Sequence, residues 1–234
     1  MGRRSLARVV GRRSILYHAS LVGLAMPERI KRLRVDHRGF PVPRFVAWIN
    51  GQADHRLIQP QWMNEAVKRR LCWVCGEPLG RYYCSIIGCM CAINRVISEP
   101  PSHRECGEFA AAACPFMARP QAHRREAGMP EDRVAPAGMG LARNPGVVCL
   151  WISREYPKPV RAQFGHDGVL FQLGEPSETV WYREGRLATR EEVQAAIDDG
   201  LPTLHKVAAL EGDDALKELS RWTVRVAPYL PAAA

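Results

Sequence analysis

Seven of the eight cysteines in this 234-residue chain fall within 43 consecutive residues: Cys72, Cys75, Cys84, Cys89, Cys91, Cys106 and Cys114. Such a density points to a disulfide framework or a metal centre. Cys72-Trp-Val-Cys75-Gly76 favours the metal. Two thiolates separated by two residues converge on one tetrahedral cation, and a following glycine lets the backbone turn tightly with its amides aimed at sulfur. The first residues form no convincing signal peptide, so the oxidising compartment that disulfides need is not indicated.

A second ligand pair must complete four-coordination, and His103-Arg-Glu-Cys106 supplies it. Ser102 stands three residues before Glu105, a capping-box spacing that predicts a helix starting there. His103 and Cys106 then lie at i and i+3 on one face of its first turn, where the helix dipole favours a thiolate. The expected site is therefore Zn2+ held by Cys72, Cys75, His103 and Cys106. Four protein ligands leave no position for water, which makes that zinc structural. Two alternatives stay open: Cys91 or Cys114 could replace His103 or Cys106, and Cys84, Cys89 and Cys91 could nucleate an iron–sulfur cluster. Their C-x4-C-x-C spacing matches neither the bacterial nor the plant-type cluster pattern. Cys114, before Pro115 at a helix end, reads as a packed thiol, and Cys149, alone in an apolar run, as a buried apolar residue.

Arg81–Ile87 and Met90–Ile97 read as a hairpin turning near Gly88. Knuckle, hairpin and a helix donating two ligands resembles the treble-clef zinc finger over residues 70–115. That resemblance implies no single function, because the fold serves ribosomal proteins, nucleases, transcription factors and protein-binding domains alike. Glu99-Pro-Pro-Ser-His103-x-x-Cys106, continuing to Cys114-Pro-Phe116, is similar to a group of functionally uncharacterised bacterial and phage Cys-rich proteins. Trp181-Tyr182, Gly185-Arg186 and Ala188-Thr189 extend the similarity. It implies no activity.

The remaining pattern is that of an α+β protein in four parts. Residues 1–25 are Arg-rich and acid-free, which reads as a flexible leader or a start placed too early, with Met26 opening the folded chain. Residues 26–129 form a basic zinc-binding domain. Phe45–Asn50 and Asp54–Ile58 flank Gly51 as a hairpin, and a helix at Gln61–Arg70 ends in Lys68, Arg69 and Arg70. Residues 130–146, rich in Pro, Gly and Ala, read as a linker or long loop. Residues 147–234 form an α+β region with strands at Val147–Ile152, Val169–Leu173 and Glu178–Tyr182. Thr189-Arg-Glu-Glu192 is a capping box opening a helix that Gly200 should end. Helices at Thr203–Leu210 and Asp213–Val226 complete it.

The formal net charge of +9 divides as +5, +7 and −3 over residues 1–25, 26–145 and 146–234. The basic zinc half is the part that would contact nucleic acid or an acidic protein. Lys31, Arg32, Arg34, Lys68, Arg69, Arg70, Arg119, Arg124 and Arg125 supply charge there. Trp62, Trp73, Tyr82 and Tyr83 are interleaved as a stacking surface would need. No stretch approaches the about 20 apolar residues of a membrane span, so a cytoplasmic protein is expected.

Catalytic signatures are sparse. No P-loop, dinucleotide fingerprint, nucleophile elbow or zinc-deaminase motif occurs. Asp36-His37 and Asn94 weakly resemble the residues of HNH nucleases, in the wrong order relative to the cysteines. His166-Asp167-Gly168 reads as a loop and His205 as a core histidine. The expected role is a non-enzymatic accessory or binding factor. Its rivals are a nuclease or nucleotide-processing enzyme braced by zinc, and a pure protein-interaction module.

Overall fold

A computed structural model describes residues 16–119, 123, 125, 127–129, 136–138, 146–162 and 165–233. Most of the expected linker and residues 1–15 lie outside them. The first half contains α1 (Glu28–Lys31), β1 (Val46–Ile49), β2 (Gln52–Ile58), α2 (Trp62–Arg69), β3 (Tyr83–Gly88), α3 (Cys89–Asn94), β4 (Val96–Ile97) and α4 (Arg104–Ala113). The second contains β5 (Val148–Ser153), β6 (Lys158–Arg161), β7 (Val169–Gln172), β8 (Glu178–Arg183), β9 (Arg186–Leu187), α5 (Arg190–Glu211) and α6 (Asp213–Arg225). The chain is thus mixed α and β, as its patterning implied.

The central strand is β5. Its sequence, VCLWIS, is apolar almost throughout because both faces are covered, and all six residues are buried. Successive side chains of a strand point to opposite faces. Val148, Leu150 and Ile152 therefore meet Cys84 and Ala111 on one side. Cys149 and Trp151 meet Met90, Ile93, Val193 and Ile197 on the other. The antiparallel sheet runs β3-β5-β8-β9, with Tyr83 opposite Ser153 and Gly88 opposite Val148. A strand from the cysteine-rich half is thereby paired with one from the acidic half. A second sheet, β4-β7-β6, joins the halves again, Ile97 lying opposite Phe171. β6 carries Pro159 at an edge, where a missing amide costs least.

The hairpin expected at 81–97 is not formed. The chain leaves β3 at Gly88 directly into α3, and β3 takes its partner from β5, some sixty residues on. A short apolar run such as Cys89–Ile97 cannot be assigned to helix or strand by periodicity alone. Here Cys89, Met90, Ala92 and Ile93 are buried in the helix, and only Val96–Ile97 extend as β4.

Gly200 does not end a helix either. α5 runs unbroken through Gly200 and Pro202 to Glu211. A Cβ at Gly200 would lie 2.8 Å from Met90 Cε, so the glycine permits close approach of α5 to α3. The stop is Gly212 at φ 107°, whose amide donates to the Ala208 carbonyl, and α6 follows at once. The capping box that starts α5 is present: Glu192 N donates to Thr189 Oγ1, and Thr189 N donates to Glu192 Oε2. His205 is exposed on α5 and takes no place in the core.

Residues 16–25, expected to be a free leader, are folded onto the cysteine module. His18 N donates to the Gly39 carbonyl, and its ring stacks on Phe40 at 4.4 Å. A 3-10 turn, Ala19–Leu21, buries Leu21 with Ile30, Phe40, Cys72, Cys75 and Cys106. Leu21, with Tyr17 and Leu24 packed beside it, is the outer wall of a small core. Leu21→Ala should therefore cost about 3 kcal/mol, the usual scale for a buried leucine, read as a lowered urea midpoint at unchanged m-value. A free leader would show no change.

Candidate metal centre

The knuckle is a tight turn in which the Gly76 amide donates to the Cys72 carbonyl at 2.9 Å. Gly76 sits at φ 79°, and a Cβ there would come within 2.8 Å of the Arg44 side chain. Both facts require glycine. The amides that do aim at sulfur belong to Cys75 and His103, each 3.4 Å from Cys72 Sγ. Leu71 and Pro78 form an isolated bridge that closes the turn from outside.

The second pair comes from the start of α4, one residue later than the capping-box pattern predicts. Ser102 is buried and exchanges backbone hydrogen bonds with Cys84, at 2.8 and 2.9 Å, and so belongs to an extended segment beside β3. His103 takes the N-cap position without a side-chain cap bond. Glu105, which the pattern would have turned back to Ser102, pairs with Arg29 Nε at 2.5 Å.

The donor atoms of Cys72, Cys75, His103 and Cys106 all lie within 4.8 Å of one another. His103 Nδ1 is 3.4 Å from Cys75 Sγ and 3.9 Å from Cys106 Sγ. Tetrahedral zinc–sulfur and zinc–nitrogen bonds would set such atoms about 3.6–3.8 Å apart. Three of the four residues are buried. His103 Nε2 lies 3.0 Å from the Pro78 carbonyl, the outer partner that fixes a ligating imidazole with Nδ1 facing inward. The donor set fits a metal ion without rearrangement of its backbone.

Arg29 lies alongside. Its Nη1 is 3.1 Å from His103 Nε2, 3.4 Å from Nδ1 and 3.0 Å from Glu77 Oε2. Since Nε2 is committed to Pro78 and Nδ1 to sulfur, the guanidinium rests against the ring while two carboxylates hold it. Three thiolates around one divalent cation would leave a local charge of −1, which Arg29 is placed to balance. Nothing in the motif spacing announces Arg29 or Glu77.

Without metal the cluster shares protons unevenly. Burial opposes ionisation of Cys72, but hydrogen bonds from Cys106, Cys75 and His103 hold its thiol far below the ordinary range. Cys106, which donates to Cys72 and Cys75, is pushed far up. His103 is disfavoured as a cation by burial, yet the Cys72 and Cys75 sulfurs hold it charged to about 10. A metal must displace these protons.

The other cysteines do not join the group. Cys84 is buried in β3, where a Cβ on Gly107 would meet its sulfur at 2.9 Å. Cys89 donates to the Ala196 carbonyl, and burial raises it to about 12; burial likewise raises Cys91 to about 11. Cys114 is the α4 C-cap, and Cys149 is fully buried in β5. Among the described residues Cys84, Cys89 and Cys91 therefore do not form the metal-ligating group that the iron–sulfur alternative requires.

Other expected functional residues are dispersed. His37 is exposed in a turn organised by Asp36, which accepts from the Arg38 and Phe40 amides. Asn94 accepts from Val96 N beyond α3. Asp167 pairs with Arg161 and caps Gly168. Trp62 and Trp73 are core residues, Trp73 stacked on Phe45 at 4.9 Å, and are unavailable to bases. Lys31, Arg32 and Arg69 pair with Glu28, Glu77 and Glu65. Arg34 covers Trp48 at 3.6 Å, Arg125 lends its carbonyl to Arg56, and Arg124 lies outside the described residues. No described helix is long and apolar enough to cross a membrane. Compared with family models, curated proteins and solved structures, the chain matches none.

Because ligands bind as thiolates and neutral imidazole, affinity for a divalent cation should fall as pH falls. At pH 7 uptake should release more than one proton per ion, since His103 and Cys106 must both give one up. Calorimetric titration in two buffers of different ionisation enthalpy measures that number directly. Release of no protons would mean the ion binds elsewhere.

Proposed function

We propose that this chain is a zinc-binding, non-enzymatic accessory or binding factor, with Zn2+ held by Cys72, Cys75, His103 and Cys106 in a structural role. The observation that carries this reading is the convergence of those four donors within 4.8 Å. They come from a knuckle and a helix start 27 intervening residues apart. Four protein ligands, three of them thiolates, fill a tetrahedral shell and make a weak Lewis acid. Of the residues that could have formed a separate catalytic constellation, His37 lies exposed in a turn and Asn94 accepts from the Val96 amide.

In this reading the module keeps the knuckle and the ligand-bearing helix of a treble clef, while α3 and the pairing of β3 with β5 replace its hairpin. Membership of the bacterial and phage Cys-rich group belongs to the same reading, as does a reducing, cytoplasmic setting in which eight free thiols persist. Zinc would supply charge neutralisation and a rigid four-way junction; the chain's own residues position it. Arg29 balances the excess thiolate charge, and the Pro78 carbonyl orients His103.

Elemental analysis of the purified full chain should find about one zinc per molecule. Cys72→Ser and His103→Ala should each reduce that content sharply, while Cys84→Ser should retain it. Chelator added to wild type should unfold the cysteine module, since a structural zinc site contributes folding free energy outright. Iron with visible absorbance, zinc retained in both ligand variants, or no metal would overturn the proposal.

A further inference from the structure

Most cations of the basic half are consumed by the fold. Arg29, Arg32, Arg69 and Arg104 each contact a carboxylate, and Arg44 is held by Gln59. Three arginines remote in sequence are treated differently. Arg70, Arg81 and Arg154 are exposed, and none has a carboxylate partner among the described residues. The fold brings their chain positions to the open end of the β3–β5 ladder, beside three tyrosines.

The contacts form two groups that meet at the end of the β3–β5 ladder. Arg70 lies over the Tyr156 ring at 5.5 Å, Tyr156 meets Tyr83 edge-on at 5.3 Å, and Tyr83 sits opposite Ser153 at the end of the β3–β5 ladder. Next to that pair, Arg154 lies over the Tyr82 ring at 5.8 Å, and Arg81 precedes Tyr82. Tyr82 is 44% exposed, the largest exposure among the aromatic side chains of this face. The position of the face is fixed at both ends. Leu79 N donates to the Arg70 carbonyl, tying Arg70 to the knuckle, and Ser153 Oγ donates to the Glu155 carbonyl, shaping the bend that carries Arg154. Glu155 is the nearest acid in sequence, and its carboxylate is turned toward Gly174.

Unpaired arginines at the end of a ladder that also carries an exposed tyrosine suit a ligand with regularly spaced phosphates and free π-faces. Duplex bases are already stacked and cannot reach Tyr82, whereas single-stranded bases can. We infer that the open end of the β3–β5 ladder, with Tyr82 and Arg154 on one side of it, Tyr83, Tyr156 and Arg70 on the other and Arg81 leading in, binds single-stranded nucleic acid. This inference rests on the reading of the chain as a binding factor; it does not depend on which metal fills the cysteine site.

The test is fluorescence anisotropy of the full chain with a labelled mixed-sequence 20-nucleotide single strand, in DNA and RNA forms, over a salt series. Binding should weaken with salt at a log–log slope of about −2, as three arginine–phosphate contacts on a single strand imply. Arg154→Glu and Tyr82→Ala should each weaken it about tenfold or more. Arg221→Glu, on exposed α6 surface, should leave it unchanged. Circular dichroism and metal content equal to wild type would exclude misfolding as the cause. Equal competition by the matching duplex or by polyglutamate would overturn the inference. So would affinity unaltered in both face variants, the result expected if the five arginines within residues 1–25 did the binding instead. Cleavage of the probe, checked on a denaturing gel, would instead overturn the binding-factor reading on which this one rests.

Discussion

Three sulfurs and one imidazole nitrogen occupy a space in which they cannot all be ionised unaided, and the first half of the fold is arranged around that conflict. The elements that surround the site are short. α1 has four residues, the 3-10 turn three, and β1–β2 is a two-stranded hairpin. Pieces of this size do not hold their conformation alone, because nucleating a helical turn fixes several residues for one hydrogen bond. Their burial is nonetheless complete at Leu21 and Ile30, which lie against Cys72, Cys75 and Cys106. The ligand cluster is thus both the chemical centre and the nucleus of a small core. A cation bound there would convert mutual repulsion of thiolates into a junction joining residues 16–33, the knuckle and α4.

α4 carries that junction to the rest of the molecule. Its first turn presents His103 and Cys106 to the site, while its next turns lie on the sheet. Gly107 is the contact point: a Cβ would meet Cys84 Sγ at 2.9 Å and Leu150 Cδ2 at 3.1 Å. One turn later Ala111 is buried against Val148 and Leu150. Small residues at these positions let the helix approach the β3–β5 ladder closely. The opposite face of β5 is covered by α3 and α5, again through a glycine, Gly200 against Met90. The two close approaches fix the layer order, and they explain why β5 lacks the polar alternation of a half-exposed strand.

The local features of this arrangement were legible in the sequence because their determinants are local. Cys72 and Cys75 are two residues apart in one turn, and His103 and Cys106 are three apart at one helix start, so spacing alone brings each pair together. Thr189 and Glu192 close a capping box by the same logic. Misreadings arose where distant residues decide. Ser102 carries a capping spacing, but its backbone is claimed by Cys84, which moves the helix start to His103. Gly200 has the identity of a terminator but the role of a spacer. Leu21 and its neighbours looked like a leader because the surface they cover is assembled from residues 30, 40, 72 and 106. α3 was hidden for the complementary reason: a six-residue apolar run is compatible with either period until β5 takes the strand partner away.

Charge followed the same division. A surplus of +7 over residues 26–145 describes composition without locating it, since ion pairs and ring contacts absorb most of the cations at sites that have structural work to do. Arg29 balances the thiolates, Arg104 joins α4 to β8 through Glu178, and Arg34 covers Trp48. Arg95, the C-cap of α3, is used this way by the second half, buried among Trp151, Trp222 and Tyr229. The aromatic residues divide as well: Trp62 and Trp73 are spent in the core, leaving Tyr82 exposed. What distinguishes the ladder end carrying Arg70, Arg81 and Arg154 is therefore not its charge, which is small, but that the fold has left this charge without carboxylate partners beside an exposed ring. Subtracting the cations that packing explains isolates a surface that net charge alone could not.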